Sequence, residues 1–174
     1  MKNLYLKIIS TFENSKSIFY DAGITPLETI DLFNGQPFEP NNFEFTYPAM
    51  FIDYRIEWEK GNSVRKRGTL EIEAHVITHP GVGTENFNPR LHEGLNKLVC
   101  YELIADVMET VSTDNVQSLV MTAEEPVMTD YGCYHLLKFN TTVYREKRKK
   151  YFPVQNVKSD IRIDYETNTG AIIH

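Results

Sequence analysis

Two cysteines in 174 residues, Cys100 and Cys133, are too few and too far apart to staple a secreted mini-domain. No CxxC pair or zinc-ligand spacing accompanies them, so both read as buried, reduced thiols. No apolar run approaches the ~20 residues of a membrane-spanning helix. The opening stretch Met1-Lys2-Asn3-Leu4-Tyr5-Leu6-Lys7 lacks the apolar core of a secretory signal. The expectation is a soluble chain made in a cytoplasm, without membrane contact. Basic charge is short as well. With 18 Lys and Arg against 24 Asp and Glu, the net charge is −6, which argues against bulk nucleic-acid binding and leaves only local patches. Disorder is argued against from the other side, because 41% of residues are hydrophobic and 12% aromatic. A chain of this length fits one domain and buries roughly 70% of its unfolded surface with no need of a disulfide or metal.

What is present is periodicity. Leu4, Ile8 and Phe12 fall at helical spacing, widened by Tyr5 and Ile9, and predict a helix over residues 3–14. Residues 21–48 hold Gly23, Pro26, Gly35, Pro37, Pro40 and Pro48, so turns and irregular chain are expected there. Phe33, Phe38, Phe43 and Phe45 lie inside that stretch, and so many aromatics in a loop predict packing on the core or on another subunit. Met50, Ile52, Tyr54, Ile56 and Trp58 then alternate with Phe51, Asp53, Arg55, Glu57 and Glu59, the period of a strand with one buried face. After Gly61-Asn62-Ser63, Leu70, Ile72, Ala74 and Val76 alternate with Thr69, Glu71, Glu73 and His75, completing a hairpin with the latter set in solvent. Past Pro89, Leu91, Leu95, Leu98, Val99, Leu103, Val107 and Val111 predict a helix of about 20 residues whose apolar stripe covers that hairpin. Residues 116–123 read as a strand stopped by Glu124-Glu125-Pro126. Leu137, Phe139, Thr141 and Val143 form its partner, and Ile161, Ile163 and Tyr165 mark a further edge strand.

The fold expected is therefore α+β, a single domain with a mostly antiparallel twisted sheet of two hairpins packed against two helices. The order is α-β-β-α-β-β over residues 1–146. A basic segment and an extended C-terminal arm follow over residues 147–174.

Residues that could carry chemistry do not assemble a site in the sequence. His75 and His79 are four apart, which in a strand is roughly 13 Å, and His92-Glu93 lacks a second His at helical spacing. No Gly-x-Ser-x-Gly elbow occurs, and Cys133 and His135 are spaced too widely along a strand for a tight nucleophile pair. Pro80-Gly81-Val82-Gly83-Thr84 lacks the Gly-Lys-Ser/Thr ending of a phosphate loop. The acidic pairs Glu57 and Glu59, Glu71 and Glu73, and Glu124 and Glu125 read as solvated faces or subunit contacts. The expectation is no enzyme, no catalytic, metal or cofactor-binding residue, and no cofactor. Two basic clusters remain: Arg65-Lys66-Arg67, and Arg145 with Lys147, Arg148, Lys149 and Lys150. They suit solvent, a phosphate backbone or an acidic partner surface.

The element order, with the stretch Ile30-Asp31-Leu32-Phe33-Asn34-Gly35-Gln36 leading into Tyr47-Pro48-Ala49-Met50-Phe51-Ile52-Asp53-Tyr54, resembles the tail terminator (tail-completion) proteins of long-tailed bacteriophages. Tyr47-Pro48-Ala49 matches that family's Phe-Pro-Ala-like step into an aliphatic strand, and the resemblance covers roughly residues 1–146. It implies a structural virion protein that forms a homo-oligomeric ring, a hexamer by the family's habit. Such a ring caps the tail tube, stops its polymerisation and provides the surface for head and neck proteins, with DNA passing through the channel. The implied location is the virion, after assembly in the host cytoplasm. Phe38, Phe43 and Phe45 are then subunit-interface candidates. Arg65, Lys66, Arg67, Arg145, Lys147, Arg148, Lys149 and Lys150 are candidates for tube, DNA or partner contact, and residues 151–174 for a bridging arm. The competing readings are another neck component (head-closure or adaptor) and an unrelated α+β ligand-binding or enzymatic domain.

Overall fold

The structure, a computed structural model, describes residues 1–60, 65–78 and 83–146. Among the described residues it is a mixed α+β fold with one five-stranded sheet and three α-helices. The chain runs α1 (Lys2–Asn14), α2 (Lys16–Asp21), β1 (Thr29–Leu32), β2 (Ala49–Trp58), β3 (Arg65–Ile77), α3 (Leu91–Glu109), β4 (Val120–Thr129) and β5 (Gly132–Glu146). In space the strands lie in the order β1-β2-β3-β5-β4. All neighbours are antiparallel except β1, which runs parallel to β2 from Thr29 opposite Ala49 to Leu32 opposite Ile52. The expected order α-β-β-α-β-β thus needs two additions, α2 and β1. Both are short, four to six residues, and too brief to leave a periodic signature.

One face of the sheet carries the main core. Met50 and Ile52 of β2, Leu70, Ile72, Ala74 and Val76 of β3, and Leu137, Phe139 and Val143 of β5 meet Leu4, Ile8 and Phe12 of α1, Phe19 of α2, and α3. The Phe12 and Phe19 rings sit 6.4 Å apart across the α1–α2 junction. The Tyr5 hydroxyl donates to the Ile30 carbonyl at 3.2 Å and ties α1 to β1.

Helix α3 differs from the sequence expectation. It buries Gly94, Cys100, Tyr101, Ile104, Ala105, Val107 and Met108, while Leu95, Leu98 and Val99 stay exposed, Leu98 at 47%. The helix is apolar on more than one side, so a stripe alone does not say which side meets the sheet. Its first half overhangs the core, where every residue from 92 to 99 except Gly94 is exposed.

Strand β4 also departs from expectation. It begins at Val120, after Val116 has made a single bridge to Val143, and runs through Glu124, Glu125 and Pro126 to Thr129 with a bulge between Met121 and Ala123. Proline is tolerated because β4 is an outer strand, with one row of peptide groups outside the sheet ladder. Among the described residues no helix is long and apolar enough to cross a membrane.

Candidate functional site

Two regions gather the residues singled out above, an aromatic layer on the sheet's second face and a basic cluster at the far end of the sheet, where Arg65 and Arg67 share the second face and Lys66 and Arg145 the core-side face. At one end lies an aromatic layer. Residues 33–48 fold back over the sheet, fixed by Gln36, a buried side chain whose amide donates to the Leu32 carbonyl at 2.9 Å and accepts from the Asn34 N–H at 2.7 Å. Gly35, at φ +89°, makes the turn that only glycine adopts without strain. Thr29 Oγ1 exchanges 3.0 Å hydrogen bonds with the backbone of Thr46, and the Tyr47–Pro48 peptide is cis.

Phe45 packs edge-on against Tyr47 and Phe51, with centroids 5.2 and 5.1 Å away. Phe38 packs edge-on against Phe33 and Tyr134 at 6.2 and 6.0 Å, yet stays 47% exposed. Phe43 is half-buried. The loop aromatics therefore build a second apolar layer on their own chain, with Phe38 at its outer rim.

His75 lies beneath this layer, contrary to the solvent position its alternation predicts. Its Phe33 neighbour stacks on it at 4.1 Å and 15°, Tyr134 sits 5.3 Å away, and only 5% of the residue is exposed. Neither ring nitrogen has a hydrogen-bond partner, and the Glu73 carboxylate is 4.0 Å off. Burial lowers the His75 pKa to about 4; Asp53 pulls it upward and Lys138 lowers it further. The imidazole is held neutral. Period-two alternation could not reveal this, because it places β3's odd positions together but is silent on what covers them. The only hint in the sequence was the run of aromatics needing somewhere to pack.

The middle of the same face is a charge mosaic. Lys138 reaches Glu125 at 2.9 Å and Glu73 at 3.7 Å, and the Glu125 contact leads in raising its pKa. Arg55 pairs with Glu57 at 2.6 Å along β2.

The far end is basic. Because β3 begins where β5 finishes, the antiparallel register sets Arg65, Lys66 and Arg67 opposite Glu146, Arg145 and Tyr144. Two clusters 78 positions apart in sequence (Arg67 to Arg145) so become neighbours. Arg65 stands 4.4 Å over the Tyr144 ring and donates to the Asp114 carbonyl at 3.3 Å. Arg67 approaches Glu59 at 3.5 Å. Lys66 and Arg145 face each other directly, and neither has an acidic partner among the described residues. Lys147, Arg148, Lys149 and Lys150 lie outside the described residues, as does the arm.

A cleft of about 870 Å³ opens between the overhanging half of α3 and the β4–β5 turn. Within it His135 stacks on Tyr101 at 4.2 Å and 4°, and the Tyr101 and Thr78 hydroxyls meet at 3.2 Å. His135 Nε2 lies 3.6 Å from Glu124. Cys100, at its wall, is kept a neutral thiol by burial, which pushes its pKa up to about 11. Among the described residues no group of three His, Cys, Asp or Glu side chains is placed to hold a metal. No protein-family model and no curated protein sequence matches this chain.

Proposed function

We propose that this chain is a structural virion protein of the tail-terminator type. In that role it is one subunit of a closed ring, sixfold, that caps the tail tube, stops its growth and presents its other side to neck and head proteins. The reading rests on the resemblance of residues 30–54, and the observation that carries it is the basic end of the sheet. On a chain of net charge −6, Arg65, Lys66, Arg67 and Arg145 converge there. Like charges directly opposite on adjacent strands cost stability, so the Lys66–Arg145 pairing is best explained by an anionic surface that it meets. A ring repeats the cluster in every subunit and turns it into a cationic belt facing the tube end or passing DNA. Phe38, half exposed at the rim of a rigid aromatic layer, offers a neighbouring subunit a preordered apolar contact.

Native mass spectrometry across protein concentrations tests the ring, with a discrete closed oligomer expected. Lys66→Glu with Arg145→Glu should leave that oligomer intact and abolish tube-end binding, whereas Phe38→Ser should weaken the oligomer itself. A chain that stays monomeric even with tube ends supplied would refute the proposal. A head-closure or adaptor role is the nearest alternative, and it predicts rings that bind the portal side and ignore the tube. The cleft beside His135 favours a ligand-binding reading instead; thermal stabilisation by a small molecule, lost in His135→Ala, would support it.

A further inference from the structure

Strand β2 is only half covered on its outer side. β1 pairs with it through residues 49–52, and the Phe33 N–H closes that pairing on the Ile52 carbonyl at 3.0 Å. β2 then continues to Trp58 along β3. Among the described residues, no strand pairs with the outer side of residues 54–58. The Glu59 N–H donates to the Arg67 carbonyl, so odd residues of β2 turn their peptide groups towards β3 and Tyr54, Ile56 and Trp58 turn theirs outward. The Tyr54 N–H is occupied locally, by the Asp53 carboxylate at 2.7 Å. The side chains of the three outward residues form an apolar row, Tyr54 44% exposed and the other two half-buried against the core. Arg55 and Glu57 stand on the opposite face, both exposed. An open edge of this kind invites a partner strand.

We infer that this edge pairs with the same edge of a second copy of the chain, antiparallel, around a two-fold axis beside Ile56. The stretch Tyr54-Arg55-Ile56-Glu57-Trp58 is its own complement. Read against itself in reverse, it sets Ile56 opposite Ile56, Tyr54 opposite Trp58, and Arg55 opposite Glu57 on both sides of the axis. The peptide groups match as well, because the three outward residues of one copy face the three outward residues of the other. The Tyr54 N–H then exchanges the Asp53 carboxylate for the partner's Trp58 carbonyl. Other registers fail. A slip of two residues puts Arg55 on Arg55 and Asp53 on Glu57, or in the other direction Glu57 on Glu57, and a slip of one reverses the faces. A parallel pair in step sets each charge against its own kind. The charges thus select one direction and one register.

The space left by β1 agrees with that register. Ile52, where β1 ends its pairing, falls opposite the partner's Lys60, just past the end of β2. The two copies therefore meet over the five residues that β1 leaves open. Asp53 falls opposite the partner's Glu59, a like pair, but Glu59 also lies past the end of β2 and is drawn to Arg67 at 3.5 Å. So short a contact makes a weak pair, one that forms as concentration rises. An isologous pair closes on itself, so it is not the contact that builds a polar ring. It belongs to the free chain, where it covers an edge open to unrelated strands. The pair needs neither ring nor tube, so it stands or falls apart from the proposed function.

Sedimentation velocity of the full chain over a range of concentrations, with no tube ends present, tests it, and a reversible monomer–dimer equilibrium is expected. Arg55→Glu and Glu57→Arg each set like charges across the axis, and each should weaken the dimer at least about tenfold. Mixed in equal amounts, the two variants bring two glutamates against two arginines and should recover a heterodimer of parental strength. The chain carrying both Arg55→Glu and Glu57→Arg should recover a homodimer. Mixing cannot repair the Arg55–Glu57 ion pair within one chain, so recovery reads the contact between copies. Amide exchange at Ile56 should also slow about tenfold from dilute to concentrated parent. A monomer at every concentration, association unchanged by either reversal, no recovery on mixing, or exchange at Ile56 independent of concentration would each overturn the inference.

Discussion

Protonating His75 should unlatch the aromatic layer, and the size of the effect follows from its surroundings. The ordinary imidazole value of 6.5 describes the unfolded chain, and the native value is about 4. The unfolded state therefore binds the proton more readily, so stability is complete above pH 6.5 and falls as the pH drops towards 4. The gap, 6.5 less about 4 at 1.36 kcal/mol per decade, is worth about 3 kcal/mol in full, of which about 2 kcal/mol is lost by pH 5. The groups around the ring do not undo this. Glu73, 4.0 Å away, and Asp53 would welcome the charge, but Lys138 opposes it, and Phe33 and Tyr134 offer no hydrogen bond in place of water. Urea unfolding from about pH 7.5 to about pH 5 should show the loss in the parent. His75→Phe, which keeps a ring stacked on Phe33 but cannot titrate, should lose about 2 kcal/mol less over the same interval. The other four histidines and all carboxylates are common to both proteins, so the difference isolates one group. Parallel curves for parent and variant would refute the reasoning, as would a directly titrated His75 near 6.5.

Other substitutions test the packing. Ile104→Ala, at a fully buried position of α3, should cost about 2–5 kcal/mol. Leu98→Ala, on the overhanging half, should cost less than about 1 kcal/mol in the same denaturant titration; equal losses would return α3 to the face its stripe suggested. A Cβ at Gly68 would lie 2.8 Å from the Glu57 carbonyl oxygen and 2.9 Å from the Trp58 ring, so Gly68→Ala should lower stability by about 1–3 kcal/mol. Tyr101→Phe removes the hydroxyl contact with Thr78 but not the stack on His135, and a loss of about 0.5–1.5 kcal/mol is expected in thermal melts.

The long hairpin was legible because alternation and burial coincide in it: Met50 and Ile52 opposite Val76 and Ala74 are all buried, as their spacing required. Helix α3 was legible as a helix but not in its orientation. Two apolar faces compete in its sequence, and the one that packs on the core carries Cys100, Tyr101, Ile104, Ala105, Val107 and Met108. β1 is four residues paired to a strand about twenty positions later, a contact no local pattern encodes. His75 followed its period and still ended in the interior, because a loop from elsewhere in the chain closed over it. The meeting of the two basic clusters likewise depends on register between β3 and β5, which emerges only when the sheet assembles.

The uneven cover of the sheet makes it a clamped beam. Around Phe51, His75 and Leu136 it is gripped on both sides, by helices below and aromatic rings above, and a push there must disturb two packed layers. Around Arg65 and Glu146 the described residues form no such second layer. Whatever touches the cationic end meets the tip of a lever whose root is clamped some ten residues away along β3 and whose end is tied to the Asp114 carbonyl through Arg65. A load on that end bears at its root on two packed layers, the helices on one face and the aromatic rings on the other.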